Sequence, residues 1–349
     1  MKKLSKLMAV VLAVAMVLAL AACGSTGGAA SGSAAPAASG SGAASGSGSA
    51  APAGDGQTYK IGICQLVQHE ALDAANQGFQ DALTEKLGDA VKFDDQNASG
   101  DSANCSTIVN GFVSDGDDLI LAIATSPLQA AAAATADIPV LGTAVTDYAT
   151  ALEISDWSGT VGTNVSGTSD LAPLDQQADM LHDLFPDAKN VGLLYCSAEP
   201  NSVYQCTVIE GYLKELGYNV TWYAFNDTND VTSVTETAAD NSDVIYIPTD
   251  NTAASNTEAI ANVVLAKKVP VIAGEEGIAR GCGVAALSIS YYDLGYQTGL
   301  MAYDILANGA DVSTMAVQTA PSVTKKYNAA NAEALGITIP DDYEAIAEN

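Results

Sequence analysis

An internal repeat constrains the fold of this chain more than any other feature of its sequence. Three short apolar segments occur twice, in the same order and at nearly the same spacing. The pairs are KIGI (60–63) with NVGL (190–193), DLIL (118–121) with DVIY (243–246), and IPVLG (138–142) with VPVIAG (269–274). Short apolar segments rich in β-branched residues are typical of buried strands. The sequence therefore predicts two copies of one supersecondary unit, with Gly62 matching Gly192 and Pro139 matching Pro270.

The segments between these strands have the apolar spacing of helices. This spacing is present over 71–87 and 201–216, and residues 126–134 and 252–266 follow the second strand of each copy. Alternating strands and helices form βαβ units, whose parallel strands are buried on both faces. The predicted fold class is therefore α/β, with two doubly wound parallel-sheet lobes of the Rossmann-like type.

The chain after the second copy is predicted to return to both lobes. A helix is expected near 293–307, a strand near 315–319 and a helix near 327–335. The polar run 164–170 is expected to cross between the lobes. Three such crossings are typical of a hinged clamshell. The predicted lobes are 58–165 plus 289–318 for lobe one and 166–288 plus 319–349 for lobe two.

The start of the chain resembles a bacterial lipoprotein signal. Lys2, Lys3 and Lys6 precede an uncharged apolar run, and small residues then lead to Cys23, so residues 1–22 are predicted to be a signal peptide. The resemblance to a lipobox implies cleavage before Cys23 and diacylation of its thiol. An ordinary signal peptide followed by an unrelated cysteine is the alternative. Residues 23–57 are mainly Gly, Ala, Ser and Pro, which is typical of a flexible linker. Together these features predict an extracytoplasmic protein held at the membrane by lipid.

The composition argues against several classes of function. A formal charge of −28 argues against nucleic-acid binding, which needs many basic residues, and Arg280 is the only arginine. His69 and His182 are the only histidines and no CxxC pattern occurs, so neither a metal nor another cofactor is expected. Ser322 and Lys325 match half of a penicillin-binding signature whose other motifs are absent. Because no nucleophile is paired with a base, the chain is not expected to be an enzyme.

Five further cysteines follow Cys23. An odd number leaves at least one thiol unpaired within the chain. Buried reduced thiols are favoured over a disulfide between Cys196 and Cys206. The five residues are Cys64, Cys105, Cys196, Cys206 and Cys282.

A ligand site is expected at the carboxyl ends of the strands, because open parallel sheets bind ligands there. Ser126 with Gln129, and Ser202 with Gln205, fit capping boxes at two helix starts. Such helix starts suit a ligand carboxylate, while acidic strand ends suit an ammonium group. Ordinary caps and solvated acidic loops are the alternatives. The candidate ligand-binding residues are Gln65, His69, Thr125, Ser126, Asp147, Tyr148, Ser197, Glu199, Asn201, Ser202, Thr249, Asp250, Asn251, Glu275 and Asp293.

Several separated motifs resemble one family of proteins. They are ATSPLQ (124–129), GTSDLAPLDQQ (167–177), LLYCSAEPNSVYQ (193–205), YIPTDNTAAS (246–255) and SYYDLGYQTG (290–299). These segments look like those of ABC transporter substrate-binding proteins of the tryptophan/tyrosine-type family. The resemblance implies a type I periplasmic-binding fold that holds a free amino acid, often aromatic, between its lobes and delivers it to an ABC permease. One departure is Tyr148, which stands where the family usually has Pro after the equivalent of Asp147.

The alternative function is a tethered sensor or interaction module that binds another small metabolite. An extracytoplasmic hydrolase is disfavoured. For an amino acid ligand, the carboxylate is expected at Thr125-Ser126 or Asn201-Ser202. The ammonium group is expected near an acid such as Asp250, Glu275 or Asp293. Arg280 lies beyond a strand end and is expected at the surface.

Overall fold

The computed structural model describes residues 58–347. The predicted signal peptide, Cys23 and the linker lie outside these residues and stay predictions. Among the helices in the described range, none is long and apolar enough to cross a membrane. The described residues form two β-sheets surrounded by helices, which confirms the predicted α/β class.

Strands and helices alternate along most of the chain. In order, the strands are β1 (Tyr59–Gln65), β2 (Val91–Asn97), β3 (Leu119–Ile123), β4 (Val140–Val145), β5 (Val165–Ser169), β6 (Asn190–Cys196), β7 (Asn219–Phe225), β8 (Val244–Ile247), β9 (Val271–Ala273), β10 (Ala285–Ser288), β11 (Gln318–Thr319), β12 (Thr324–Tyr327) and β13 (Glu344–Ala345). The helices are α1 (Glu70–Leu87), α2 (Ser102–Asp115), α3 (Thr125–Ala134), α4 (Tyr148–Ala151), α5 (Leu174–Leu184), α6 (Pro200–Glu215), α7 (Val231–Asn241), α8 (Asn251–Ala254), α9 (Thr257–Lys267), α10 (Glu276–Gly281), α11 (Tyr291–Asn308) and α12 (Ala329–Leu335).

Each sheet belongs to one lobe. The first sheet has the order β11-β5-β4-β3-β1-β2, and its strand pairs are all parallel. The second has the order β13-β12-β10-β9-β8-β6-β7, in which β12 runs antiparallel to β10. We call the first sheet with its helices lobe one and the second sheet with its helices lobe two.

The two sheets repeat one arrangement, which confirms the internal repeat. The series β2-β1-β3-β4-β5 in lobe one corresponds to β7-β6-β8-β9-β10 in lobe two. Gly62 on β1 pairs with Ile120 on β3, just as Gly192 on β6 pairs with Ile245 on β8. The N–H groups of these two isoleucines donate to the carbonyls of the two matched prolines, each at 2.9 Å. Matched residues therefore hold equivalent sheet positions.

Strand β5 shows that the first crossing between lobes lies further along the chain than predicted. The polar run 164–170 is not a crossover, because Val165–Ser169 forms a buried strand beside β4. The hydroxyl of Thr168 lies 3.0 Å from that of Thr143 and 2.9 Å from that of Thr298. Buried hydroxyls that pair with one another need no solvent, so a polar sequence here does not mark a loop. The crossing follows Ser169, and lobe one includes this strand.

Helix α11 brings the chain back to lobe one and packs closely on α1. A Cβ on Gly295 would clash with the carbonyl oxygen of Ala75, and one on Gly78 with that of Tyr292. Glycine at both positions therefore lets the two backbones touch. The chain then adds β11 to the first sheet and β12 to the second, so it crosses after β5, after β10 and after β11.

The helix bounds agree with the sequence except in one case. Residues 252–266, predicted as one helix, form α8 and α9 with a break at Ser255 and Asn256. The Asn256 side chain donates to the Thr252 carbonyl at 2.8 Å, which occupies a carbonyl at the end of α8. The five cysteines of the described range are all free and buried. The reduced state is therefore the one observed.

Candidate ligand-binding site

A cleft between the lobes collects strand ends and helix starts from both sheets. His69 Nε2 of lobe one lies 3.2 Å from Asn251 Oδ1 of lobe two. Cavities of about 320, 290 and 200 Å³ lie where residues of the two lobes face one another. Ser126 and Glu199 face each other across the largest of these three. The arrangement suits a small ligand held by polar groups from both sides.

Glu199 organises the lobe-two side of the cleft. Its carboxylate accepts hydrogen bonds from the backbone N–H groups of Asn251, at 3.0 Å, and Thr252, at 2.8 Å. The side chains of Asn251, Thr252 and Asn201 also donate to it. These bonds use both carboxylate oxygens and hold the start of α8 against the start of α6. Glu199 is thus a buried structural acid beside the cleft.

Asp250 is a second buried acid next to Glu199. Its Oδ1 accepts from the Ala253 N–H at 2.8 Å, which caps α8, and its Oδ2 accepts from the Cys196 N–H at 2.6 Å. Burial, followed by repulsion from Glu199, raises the pKa of Asp250 to about 8. Both oxygens already have backbone donors, so the carboxylate has little capacity left for a ligand ammonium.

Glu275 has a similar role at the start of α10. Its carboxylate accepts from the backbone N–H groups of Gly277, at 2.7 Å, and Ile278. Burial raises the pKa of Glu275 to about 7, although the two N–H groups favour its charged form. This acid, too, is used as a helix cap.

The start of α6 differs from the predicted capping box. Glu199 is the N-cap residue and Pro200 the first helical residue, so Ser202 lies inside the helix. Gln205 binds the neighbouring strand end instead: its side chain accepts from the Thr249 N–H at 3.0 Å and donates to the Thr249 carbonyl at 3.1 Å. Pro200 opens the helix earlier because its fixed φ and missing N–H suit a first position.

The start of α3 also lacks the predicted box. Ala124 is the N-cap residue, with φ of 90°, and Thr125 is the first helical residue. Gln129 donates to the carbonyl of Ala151, at 3.0 Å, and does not cap the helix. Thr125 is buried and Ser126 is partly exposed to the cleft. Their two N–H groups lie in the first turn, where a helix offers no acceptor of its own.

Two candidate side chains of β1 and its following loop have different environments. Gln65 is buried within lobe one, where its side chain donates to Asp73 at 2.6 Å and accepts from Asn76 at 3.1 Å. His69 faces lobe two through Asn251, and burial lowers its pKa. The structure therefore brings His69 to the cleft and keeps Gln65 within lobe one.

Asp147 and Tyr148 are adjacent in sequence but lie in different environments. Asp147 caps α4 by accepting from the Thr150 N–H at 2.7 Å. The pKa of Tyr204 on α6 is raised mainly by burial and secondly by the charge of Asp147. Tyr148 points into lobe one, where its hydroxyl donates to the Thr168 carbonyl at 3.2 Å. Its ring stacks on Trp157, with centroids 6.5 Å apart. Tyr148 therefore fills the core of lobe one rather than the cleft.

Ser197 and Asp293 lie at the margins of the site. The exposed Ser197 hydroxyl donates to the side chain of Asn226 at 2.8 Å. Asp293 is exposed in the first turn of α11 and lines a separate cavity of about 600 Å³ beside the second and third crossings. Neither residue joins the buried polar groups of the cleft.

Asp170, Thr146 and Tyr291 form a buried polar group at the carboxyl end of β5, and Asp170 is the one of these three for which the sequence predicts no role. Asp170, directly after β5, is 3% exposed, and its Oδ2 accepts from the Tyr291 hydroxyl at 2.9 Å. Thr146, at the end of β4, has its hydroxyl close to the same carboxylate. Tyr291 interacts in turn with Thr249 of lobe two. An acid directly after a strand is the only signal for Asp170, and the polar run 164–170 predicts a crossover rather than a strand.

Arg280 is not the surface residue that the sequence predicts. Its side chain is 22% exposed and forms ion pairs with Glu276 of its own helix, at 2.8 Å, and with Glu70 of lobe one. The second pair spans the cleft. Arg280 therefore connects the lobes, and its charge is already neutralised by two acids.

Fold and cleft together define a two-lobed solute-binding protein of the type I periplasmic-binding class. The model of the ABC transporter substrate-binding protein family matches residues 60–349, so the chain belongs to that family. It is a substrate-binding protein of an ABC transporter, and this membership implies an extracytoplasmic location. Members of the family are solute-binding proteins and not enzymes.

Individual relatives agree with this membership. The chain is 38% identical over 262 residues to a tyrosine-binding protein of Clostridioides difficile (strain R20291), covering 74% of this chain and 75% of the relative. It is similar to an ABC domain from Streptococcus pneumonia solved in complex with L-Trp, with a TM-score of 0.78, 34% identity, and coverage of 82% and 97%. It is also similar to a ligand-free, open substrate-binding protein with adhesive properties from Clostridium difficile, with a TM-score of 0.64, 37% identity, and coverage of 84% and 100%.

The two structural comparisons differ in a way that bears on the cleft. The TM-score is higher for the L-Trp complex than for the ligand-free, open protein, although the identities are nearly equal. Contacts between His69 and Asn251 and between Arg280 and Glu70 also join the lobes here. These two contacts hold the lobes against one another in this structure.

Proposed function

We propose that this protein binds a free aromatic amino acid, tyrosine or tryptophan, between its lobes and delivers it to an ABC permease. The observation that carries the proposal is a polar interlobe cleft in a family member whose relatives include a tyrosine-binding protein and a structure in complex with L-Trp. Closure needs a ligand that contacts both lobes, because only a ligand with higher affinity for the closed state favours that state.

The ligand carboxylate is assigned to the start of α3. At the start of α6, the N–H of Ser202 already donates to the Glu199 carbonyl at 3.1 Å. The first-turn N–H groups of Thr125 and Ser126 have no acceptor within their own helix, and Ser126 faces the cleft. A helix N-terminus with free N–H groups favours an anion. Since Arg280 is paired with two acids, backbone donors are the better source of this contact.

A lipid anchor holds this receptor at the outer face of the membrane. The lipobox-like sequence ending at Cys23 supports a lipid anchor after removal of residues 1–22. The residues 23–57 would then tether the folded part to the membrane surface. The protein acts as a receptor without catalysing a reaction and without a cofactor.

A thermal-shift screen of the free amino acids, followed by calorimetric titration, tests this function. A ligand at a hundred times its dissociation constant stabilises the folded state by about 2.7 kcal/mol, which is a readily measured shift of the unfolding midpoint. We expect tyrosine and tryptophan to give the largest shifts and alanine to give none. If no aromatic amino acid shifts the midpoint, the proposed ligand class is wrong.

Ser126→Ala and Ser202→Ala form a matched pair for the carboxylate contact. Each removes one hydroxyl, and only Ser126 is assigned to the ligand. We expect Ser126→Ala to weaken binding modestly, because the backbone N–H groups remain. Ser202→Ala should leave the affinity nearly unchanged. A larger loss in Ser202→Ala than in Ser126→Ala would move the carboxylate to α6.

A further inference from the structure

Four buried carboxylates stand at strand ends around the cleft, and they differ in how completely they are hydrogen-bonded. Glu199, Asp250 and Glu275 each have donors on both oxygens, mostly backbone N–H groups. Asp170 differs, because its Oδ1 is buried without a hydrogen-bond partner among the described residues. Its Oδ2 accepts a single bond, from Tyr291. A buried carboxylate with an unused oxygen is costly and calls for an explanation.

No lysine or arginine within residues 58–347 forms an ion pair with Asp170. The ion pairs formed by the described lysines and Arg280 involve other acids throughout. Burial raises the pKa of Asp170, although the Tyr291 and Thr146 hydroxyls favour the charged form. The surroundings of Asp170 thus contain hydroxyl donors for an anion and lack a positive charge.

Asp170 lies at the carboxyl end of a strand of lobe one and is bonded to a residue that lines a cavity between the lobes. It follows the last residue of β5, at the edge of the sheet where helix α3 begins. Its partner Tyr291 lines the cavity of about 200 Å³ between the lobes, opposite Glu275. Thr249 of lobe two favours the charged form of the Tyr291 hydroxyl and so lowers its pKa against the larger effect of burial, which indicates that lobe two lies close to the partner of Asp170.

We propose that Asp170 binds the α-ammonium group of the ligand, with the buried Oδ1 as the acceptor. This inference rests on the proposed function and replaces the expectation that Asp250, Glu275 or Asp293 has this role. An ammonium group brings three donors and a positive charge, which together satisfy Oδ1 and offset the cost of burying the carboxylate. Recognition of the amino acid backbone is then divided between Asp170 and the start of α3.

The test compares amino acids with acids that lack the amine. L-tyrosine and L-tryptophan, together with 3-(4-hydroxyphenyl)propanoate and indole-3-propanoate, are titrated calorimetrically into wild type, Asp170→Asn and Asp175→Asn. Asp175 is an exposed acid of the first turn of α5 and serves as the matched control. Loss of a hydrogen bond between charged groups lowers affinity about ten- to a hundredfold.

We expect Asp170→Asn to lower affinity for the amino acids by that factor, while affinity for the deaminated acids hardly changes. Asp175→Asn should behave as wild type. If Asp170→Asn does not fold, Asp170→Ser removes the same charge and takes its place. Suppose that the wild type binds aromatic amino acids and that Asp170→Asn still prefers them fully over the deaminated acids. This result overturns the role of Asp170 and leaves the proposed function intact.

The proposed function can also fail while Asp170 keeps its role in binding an ammonium group. A wild type that binds no aromatic amino acid contradicts the proposed function. The titrations are then repeated with an amino acid that does bind in the screen and with its deaminated counterpart. If Asp170→Asn lowers the affinity for the amino acid alone, the inference is supported. If no amine-bearing compound binds, the inference is wrong as well.

Discussion

The ion pair between Arg280 and Glu70 should stabilise the closed arrangement of the lobes, and Glu70→Gln tests this directly. Arg280 also pairs with Glu276, but that pair lies within α10 and is unaffected by the distance between the lobes. Only the pair with Glu70 crosses the cleft. Removing the charge of Glu70 should therefore destabilise the closed state relative to the open state.

The solvent exposure of the two side chains determines how much the ion pair stabilises the closed state. The Arg280 side chain is 22% exposed and that of Glu70 is 51% exposed, so water screens the pair substantially. Pairs of this kind contribute about 0.2–1 kcal/mol. Since apparent affinity scales with the fraction of the protein in the binding-competent state, the dissociation constant should rise by at most about fivefold. This is clearly less than the loss expected from a direct ligand contact.

The assay is calorimetric titration of the best ligand at low and at high ionic strength. Glu85→Gln is the matched control, because Glu85 lies on the same helix, α1, and pairs with Lys86 and Tyr296 of its own lobe. We expect Glu70→Gln to weaken binding at low salt, with the difference from wild type shrinking at high salt. Equal effects of Glu70→Gln and Glu85→Gln would refute the reasoning, as would a loss of a hundredfold or more.

Three further predictions concern stability and anchoring. Because the pKa of Asp250 is raised to about 8, the folded state holds a proton there that the unfolded state has lost above about pH 5. Stability should therefore fall as pH rises from about 5 to 8, and thermal unfolding of Asp250→Asn should show a smaller decline; parallel curves for the two proteins would contradict this. Gly295→Ala, which places a methyl group against the Ala75 carbonyl, should destabilise by about 1–3 kcal/mol in denaturant unfolding. Gly211→Ala, on α6 with open space around it, should be neutral or stabilising, and similar losses in both would show that the contact between α1 and α11 is not the cause. Finally, Cys23→Ser should move the protein from the membrane fraction to the soluble fraction, and unchanged membrane association in that variant would rule out the lipid anchor.

The sequence predicted most of the fold because the matched strands are apolar and evenly spaced. It missed β5 because Ser166 and Thr168 are polar yet buried, with hydroxyls bonded to the Met315 carbonyl and to other threonines. Those partners are distant in sequence, so no local pattern reveals them. The corresponding strand of lobe two, β10, has the sequence AALS, which does not resemble that of β5.

The candidate site was predicted in outline and not in detail. The strand ends do meet at one cleft, but the sequence cannot show which acids are already used as caps. Asp250 and Glu275 accept from backbone N–H groups two or three residues ahead, at the start of the next helix, whereas the chain after Asp170 continues into a crossing between the lobes. The sequence wrongly predicts Arg280 at the surface for a related reason, because its partner Glu70 belongs to the other lobe. Long-range pairing decided each of these roles.

The most direct test of the account is a crystal structure of the protein with bound L-tyrosine or L-tryptophan. We predict the amino acid between the lobes, its ammonium nitrogen within hydrogen-bond distance of Asp170 Oδ1, and its carboxylate at the N–H groups of Thr125 and Ser126. The ion pair of Arg280 with Glu70 should remain. An amino acid bound outside this cleft, or one whose carboxylate is held by Arg280, would contradict the account.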